Sequence, residues 1–532
     1  MTMTSLVTIL AIFALTILAV AVGERTHLPY PVLLLISTAA LAFLPFTPSL
    51  VVDPDIILPL FLPPLLFSTA RRASWSVFAV RRRTLFIMAF ALTAVTAFAV
   101  AGLVKLLVPA LSLPLAMALG AMVAPPDPVA VESVAGPAHL PRRVMRALQT
   151  ESLFNDAVAI ILFTAAVAAI RGERAFGLGV AGNFIVGAVL AVAVGLLVGW
   201  IASYATTHLR SSAASGALTL VVPFLAYLLA EEVHASGVIA VVVTALEIGR
   251  HAPEAVHDRV ITASFWEVAD LLIIGAAFGL IGVELRNIVT DQGWSDIVGY
   301  LPVALLVALA VIVIRFFGTW VLHWMTRRSR GVPRNWRECV VVTWCGMRGL
   351  ATLALALSLP AVAQGTVVIG RNFAVVTALV VMIITLVPTG LLLPWLIRVL
   401  KLQEDPRKQR LEAIRLSRRA ERAALRALNS YLATLDLPED TKDKLRAWGS
   451  QLHRRITLLQ SLPGGPQTTA EFHSSSPEKY QEQHDMMVSA QTVALEAARA
   501  EVLAARMDPE LDVATVDRVL RTLDLRTLAI RS

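Results

Sequence analysis

The sequence predicts an all-α polytopic membrane protein with a soluble helical C-terminal tail. Three observations predict it: apolar residues far outnumber charged ones, many apolar runs are long enough to cross a bilayer, and arginines fall unevenly between those runs. Of 532 residues, 57% are hydrophobic and 16% charged, with a mean hydropathy of +0.71. A soluble domain carries about 25% charged residues. The net charge of +8 lies largely in short loops between apolar runs, where it sets orientation, so nucleic acid is excluded as a partner. Cys339 and Cys345 share one predicted helix, six positions apart and on opposite faces, which offers neither a disulfide framework nor a metal spacing.

Apolar stretches able to cross a ~30 Å hydrocarbon core, with shorter ones accepted where polar residues divide a run, give thirteen helices. They lie near residues 5–22, 29–46, 55–70, 84–108, 112–134, 151–170, 179–204, 216–230, 235–249, 262–283, 298–324, 338–360 and 370–398. Only Glu231, Glu232 and His234 divide the eighth from the ninth, so one long kinked helix, and a count of twelve, also fits. Loops after odd-numbered helices hold seventeen arginines and the alternate loops four, which predicts an external N-terminus and a cytoplasmic tail in a multi-pass cell-membrane protein. Ala19-Val20-Ala21 resembles a signal-peptide cleavage site, but without a basic n-region the first segment reads as a retained helix.

The chain divides into a transmembrane domain, residues 1–400, and a cytoplasmic helical tail, residues 401–532, read as regulatory or oligomeric. Between Arg407 and Arg426 eight basic residues meet only Glu412 and Glu421, with Leu411, Ile414, Leu416 and Leu425 interspersed. That pattern suits a helix lying along anionic lipid, or a solvated helix linking membrane to tail. Residues 462–478, rich in Gly, Pro, Ser and Thr, read as a linker.

Helix 6 opens with Glu151-Ser152-Leu153-Phe154-Asn155-Asp156. Spacings of i,i+3 and i,i+4 gather Glu151, Ser152, Asn155 and Asp156 on one face. Charged groups at bilayer depth are costly and mark ion or proton paths, and carboxylate, amide and hydroxyl oxygens are hard ligands suited to a small cation. The alternative is a polar cluster joining two helices. In helix 5, Ala124-Pro125-Pro126-Asp127-Pro128 removes the amides that would bond the carbonyls of Ala121, Met122 and Ala124. The helix must break there, and freed carbonyls at that depth are tolerated only inside protein or along a cavity. Asp127 therefore belongs to a midplane site or, alternatively, to a packing kink. In helix 12, Gly346-Met347-Arg348-Gly349 sets an arginine between glycines, and Glu151 is its expected buried partner, leaving Asp156 to titrate. With helix 7 as a spacer, helices 1–6 and 8–13 make two inverted six-helix repeats whose fifth members, helices 5 and 12, are both broken, the pattern that points to a transporter's binding site.

Asp127-Pro128-Val129-Ala130, Glu151 to Asp156 and Gly346-Met347-Arg348-Gly349, in that order, resemble the monovalent cation:proton antiporter-1 family, the Na⁺/H⁺ exchangers, over about residues 5–400. The resemblance implies a homodimer with a scaffold of helices 1–3 and 8–10 and a moving core of helices 4–6 and 11–13, helices 5 and 12 crossing. It implies Asp156 as the shared Na⁺ and proton carboxylate, Asn155 and Ser152 beside it, Glu151 and Arg348 as a structural ion pair, and Asp127 as the acid of the crossed helix. Pro126 stands where the family often has Thr and leaves only its carbonyl for the ion; Ile274 stands where an Asn is common. Asp270 matches no family role and is open to facing a dimer interface, a lipid headgroup or Arg315, which reads equally as a structural cation satisfied by carbonyls.

The expected activity is secondary antiport of Na⁺, with Li⁺ or K⁺ as further substrates, against protons. Burial opposes ionisation of a carboxyl and a bound cation favours it, so the two ions compete for Asp156. With one titrating acid the exchange is electroneutral. K⁺/H⁺ antiport is the alternative within the class, and a cation channel using the same carboxylates as a selectivity ring the alternative outside it. His208, His234 and His323 are scattered and supply no nucleophile-base pair or metal set, so neither an enzyme nor a cofactor is expected.

Overall fold

The computed structural model describes residues 3–26, 28–42, 54–72, 87–127, 130–131, 140–172, 179–209, 211–250, 256–326, 333–360, 362–363, 366–402, 406–435, 439–450, 477–505 and 513–531. All thirteen apolar stretches carry helix. The first four are α1 (Met3–Thr26), α2 (Tyr30–Ala42), α3 (Pro54–Arg72) and α4 (Thr93–Leu107), the last entered through a π-helical turn at Ile87–Leu92. Then come α5 (Leu113–Val123), α6 (Arg142–Ile170), α7 (Gly179–His208), α8 (Ser212–Glu232), α9 (Gly237–Arg250), α10 (Val256–Gln292) and α11 (Trp294–Thr326). The twelfth stretch is split into α12 (Trp336–Trp344) and α13 (Leu350–Leu357), and the thirteenth is α14 (Arg371–Val399). Among the described residues seven helices are long and apolar enough to cross a membrane by length and composition.

Boundaries moved where polarity hides helix. α6 begins at Arg142, nine residues before the apolar run, because Pro141 starts a charged first segment that an apolar count excludes. The eighth and ninth stretches are two helices. The α8 terminus closes with Ala235 N–H donating to Ala230 O at 2.8 Å and His234 in the left-handed region at φ 54°, the closure that ends many helices. A short antiparallel hairpin, β1 (Val362–Ala363) with β2 (Thr366–Val367), joins α13 to α14.

The membrane helices pack in two overlapping sets that share one buried core. α1, α2 and α10 pack together, and α3 packs on α8, α9 and α10. α4, α5, α6, α11 and α14 pack against one another, with α12 and α13 against α14. α5 is buried along its length from Leu115 to Val123, and a Cβ at Gly120 would strike the backbone carbonyl of Ala97, so glycine permits the close approach of α5 to α4.

The tail forms α15 (Pro406–Ala433), α16 (Glu439–Ser450), α17 (Pro477–Ala505) and α18 (Val513–Arg531) around its own core. Leu416, Ala420, Ala424 and Leu428 of α15 are buried with Ala490, Ala494, Ala498 and Val502 of α17. The stripe of Leu416, Ala420, Ala424 and Leu428, which the in-plane lipid reading of the 407–426 helix would lay on a leaflet, is covered by protein, whereas Leu411 near the helix start is 53% exposed beside outward-facing basic residues. The predicted linker at 462–478 lies almost wholly outside the described residues.

Candidate functional site

The prolines act as their chemistry requires. With residue 128 a proline, the Ala124 carbonyl has no helical donor, and the Asp127 amide, which would have bonded Val123 O, donates instead to Met347 O across the break at 2.7 Å. Arg348 takes up both orphaned acceptors: Nε donates to Val123 O at 2.9 Å and Nη2 to Ala124 O at 3.1 Å. Its Nη1 donates to Gly346 O, at the end of α12. One guanidinium thus binds the C-terminal carbonyls of two half-helices, where the helix dipoles are negative.

Asp127 does the converse. Its Oδ2 accepts from Leu350 N–H at 3.0 Å, the first residue of α13, and its Oδ1 from Ala130 N–H at 3.3 Å, where helix 5 resumes. An acid caps two N-termini, where the dipoles are positive. Gly349 allows this approach, since a Cβ there would collide with the Asp127 carboxylate. A missed contributor, Thr385 of α14, accepts the Arg348 amide at 3.1 Å and holds the α12–α13 break from behind.

The expected Glu151–Arg348 pair does not form. Glu151 is bound by Arg315 of α11 in a two-pronged contact, Nη1 to Oε1 at 2.7 Å and Nη2 to Oε2 at 3.1 Å, and Arg315 Nε donates to Val342 O at 3.2 Å. All three charged side chains are buried, but the orphaned carbonyls engage Arg348 and leave Glu151 to the second arginine. Gly346 makes room, because a Cβ there would meet Arg315 Cδ. Leu148, Val131 and Cys345 close a cavity between this pair and Pro126–Asp127, of about 10 Å³, room for roughly one water. Asp270 does not reach Arg315 either; it accepts a hydrogen bond from Ser68 of α3 at 2.7 Å.

Asn155 and Asp156 are buried on α6, 0% and 3% exposed. Asn155 Nδ2 donates to Pro126 O at 3.2 Å, which fixes the amide orientation. Asn155 Oδ1 and Asp156 Oδ1 then have no hydrogen-bond partner among the described residues. Asp156 lies within electrostatic reach of Asp127. Ser152 is helical on α6 with its side chain outside the described residues, and Pro128 and Val129 of the helix 5 motif lie outside them altogether. The structure thus joins Pro126, Asn155, Asp127 and Arg348 across the two breaks, with Asp156 beside Asn155, and seats Glu151 beside them through Arg315.

Residues 9–399 match the family described as sodium/hydrogen exchanger, transmembrane. The chain belongs to the sodium/hydrogen exchanger family. It is a multi-pass membrane protein of that family. An uncharacterised Na⁺/H⁺ exchanger of Mycobacterium tuberculosis is 31% identical over 450 residues, 82% of each chain. An uncharacterised Na⁺/H⁺ exchanger of Escherichia coli, YjcE, is 28% identical over 526 residues, 94% of this chain and 93% of its own, so that likeness extends into the tail. In fold, the sodium proton antiporter MjNhaP1 of Methanocaldococcus jannaschii superimposes with a TM-score of 0.58 at 20% identity, covering 75% of this exchanger and 99% of that chain.

Proposed function

We propose that this exchanger carries Na⁺ against protons, one for one, with Asp156 as the group both ions occupy in turn. The observation that carries the reading is the pair of unpartnered buried oxygens, Asn155 Oδ1 and Asp156 Oδ1, beside a proline-broken helix. Buried acceptors without donors are expensive, and a cation or an added proton satisfies them. Asn155, Asp156 and the Pro126 carbonyl supply hard oxygen ligands, Ser152 is a further candidate by its i,i+3 spacing to Asn155 in the sequence, and Asp127 adds negative charge while capping both half-helices. The other acids are engaged: Glu151 by Arg315 and Asp127 by two amides. One exchangeable carboxylate makes the exchange electroneutral.

In the alternating access we propose, the helices around the two breaks, α4–α6 and α11–α14, rock as a core against a scaffold of α1–α3 and α8–α10, and two copies associate through the scaffold. Basic loops and tail share the cytoplasmic side, a placement supported by Arg521 of α18 lying 3.1 Å from Glu267, close after the Arg250 loop.

The experiment is proton movement followed with a pH-sensitive dye in everted vesicles, comparing Na⁺, Li⁺ and K⁺. We expect Na⁺ to dissipate the proton gradient and Asp156→Asn to abolish the response at normal protein levels. Retained Na⁺-driven proton flux in Asp156→Asn overturns the assignment, a K⁺ response exceeding Na⁺ makes the protein a K⁺/H⁺ antiporter, and Na⁺ current without proton counterflow makes it a channel.

A further inference from the structure

The tail carries a cleft that ion exchange does not use. Arg419, Arg422 and Arg426 stand at i, i+3 and i+7 along α15, so they share one face, and with Leu425, Asn429 and Glu501 they line a cleft of about 560 Å³. That size falls in the range of small-molecule sites, roughly 300–1,000 Å³. Glu501, reaching in from α17, pairs with Arg419. Arg422 keeps a long bond to the Arg418 carbonyl, 3.4 Å, and neither it nor Arg426 pairs with a carboxylate among the described residues. Like charges one turn apart on a helix repel, and an anion held between them relieves that repulsion. The guanidinium fork matches phosphate oxygens in pairs of parallel hydrogen bonds. Leu416, Ala420, Ala424 and Leu428 of α15 are buried against α17, the exposed Leu411 lies two turns before the cleft, and the cleft offers its occupant charge, one amide and a single leucine.

We infer that the cleft between α15 and α17 binds a phosphate-bearing anion on Arg422 and Arg426, with Glu501 holding Arg419 in reserve. Two sources share that chemistry: a soluble compound with adjacent phosphates, or the headgroup of an anionic lipid.

The test is calorimetric titration of the full-length protein in uncharged detergent with inorganic pyrophosphate. We expect saturable binding that weakens by roughly tenfold or more in the double variant Arg422→Gln, Arg426→Gln. Glu501→Gln frees Arg419 and tightens binding. Arg415→Gln, on the same helix outside the cleft, leaves it unchanged. Repeating the titration in nanodiscs of phosphatidylcholine, with and without phosphatidylglycerol, separates the sources. Loss of pyrophosphate binding only with phosphatidylglycerol identifies a headgroup, and unchanged binding a soluble ligand. Absence of saturable binding in detergent and in both nanodiscs overturns the inference. So does equal weakening by Arg415→Gln and the double variant, which would show a diffuse field instead of a site. The substituted arginines are exposed, so a helical melt matching the parent confirms that folding is intact.

Discussion

Two arginines enter the buried centre, and their division of labour is decided by which acceptors lack donors. Arg348 binds three carbonyls at helix ends, whereas Arg315 makes the two-pronged contact with Glu151. Truncating one member of a buried pair strands the other, at a cost of about 3–5 kcal/mol, while removing both together costs much less. We therefore expect Arg315→Gln to lower the thermal stability of the detergent-solubilised protein sharply, and Glu151→Gln with Arg315→Gln to recover most of it. The corresponding cycle between Glu151 and Arg348 should show a smaller coupling; a larger one there would contradict the observed pairing. The sequence made Glu151, Asp156 and both arginines conspicuous, because each interrupts an apolar run. It left the partners undetermined, because charge at bilayer depth announces a need for a counter-charge without naming it. Arg315 carried as strong a signal as Arg348, and only the three-dimensional course of α11 past α6 settles which arginine meets Glu151.

The crossing of the two broken helices is held by opposite caps, an acid on two N-termini and a guanidinium on two C-termini. A side-chain cap is worth about 1 kcal/mol, with a range of 0.5–2, so Asp127 contributes about twice that in stability through Leu350 and Ala130. Asp127→Ala should lose both caps and destabilise by about 2 kcal/mol, whereas Asp127→Asn keeps one carbonyl acceptor and should lose about half, as a shift of melting temperature would show. Gly349→Ala places a methyl against the same carboxylate and should cost about 1–3 kcal/mol, the usual range for overpacking; a neutral outcome would mean that the break widens without penalty. Both breaks were legible beforehand because three prolines, and two glycines around an arginine, leave a helix no alternative. The hairpin after α13 and the early start of α6 were not. Two-residue strands carry no periodicity, and the α6 entry from Arg142 is too polar to register as a span.

The tail is attached to the membrane domain by its last helix, and magnitudes decide what keeps that helix in place. Arg521 and Glu267 are both more than half exposed, and such a pair is worth about 0.2–1 kcal/mol. The inner face of α18 is different: Val516, Val519 and Leu523 are fully buried in the tail core. The sequence hid this arrangement, since the apolar stripe of α15 looked available to lipid until α17, some eighty residues on, was seen to cover it. Hydrogen exchange of the α18 amides distinguishes the two contributions. Arg521→Ala should speed exchange by no more than about fivefold, the limit set by an exposed pair. Leu523→Asp buries an unpaired carboxylate and should raise exchange by at least about a hundredfold, corresponding to roughly 3 kcal/mol. The order matters more than the values. If Arg521→Ala released α18 as fully as Leu523→Asp, the tail would be held to the membrane domain by charge and would loosen with salt. The observed burial predicts instead a tail held by its own apolar core, with α18 packed on α10 as well as on α15 and α17, so that its clefts fill or empty without unfolding it.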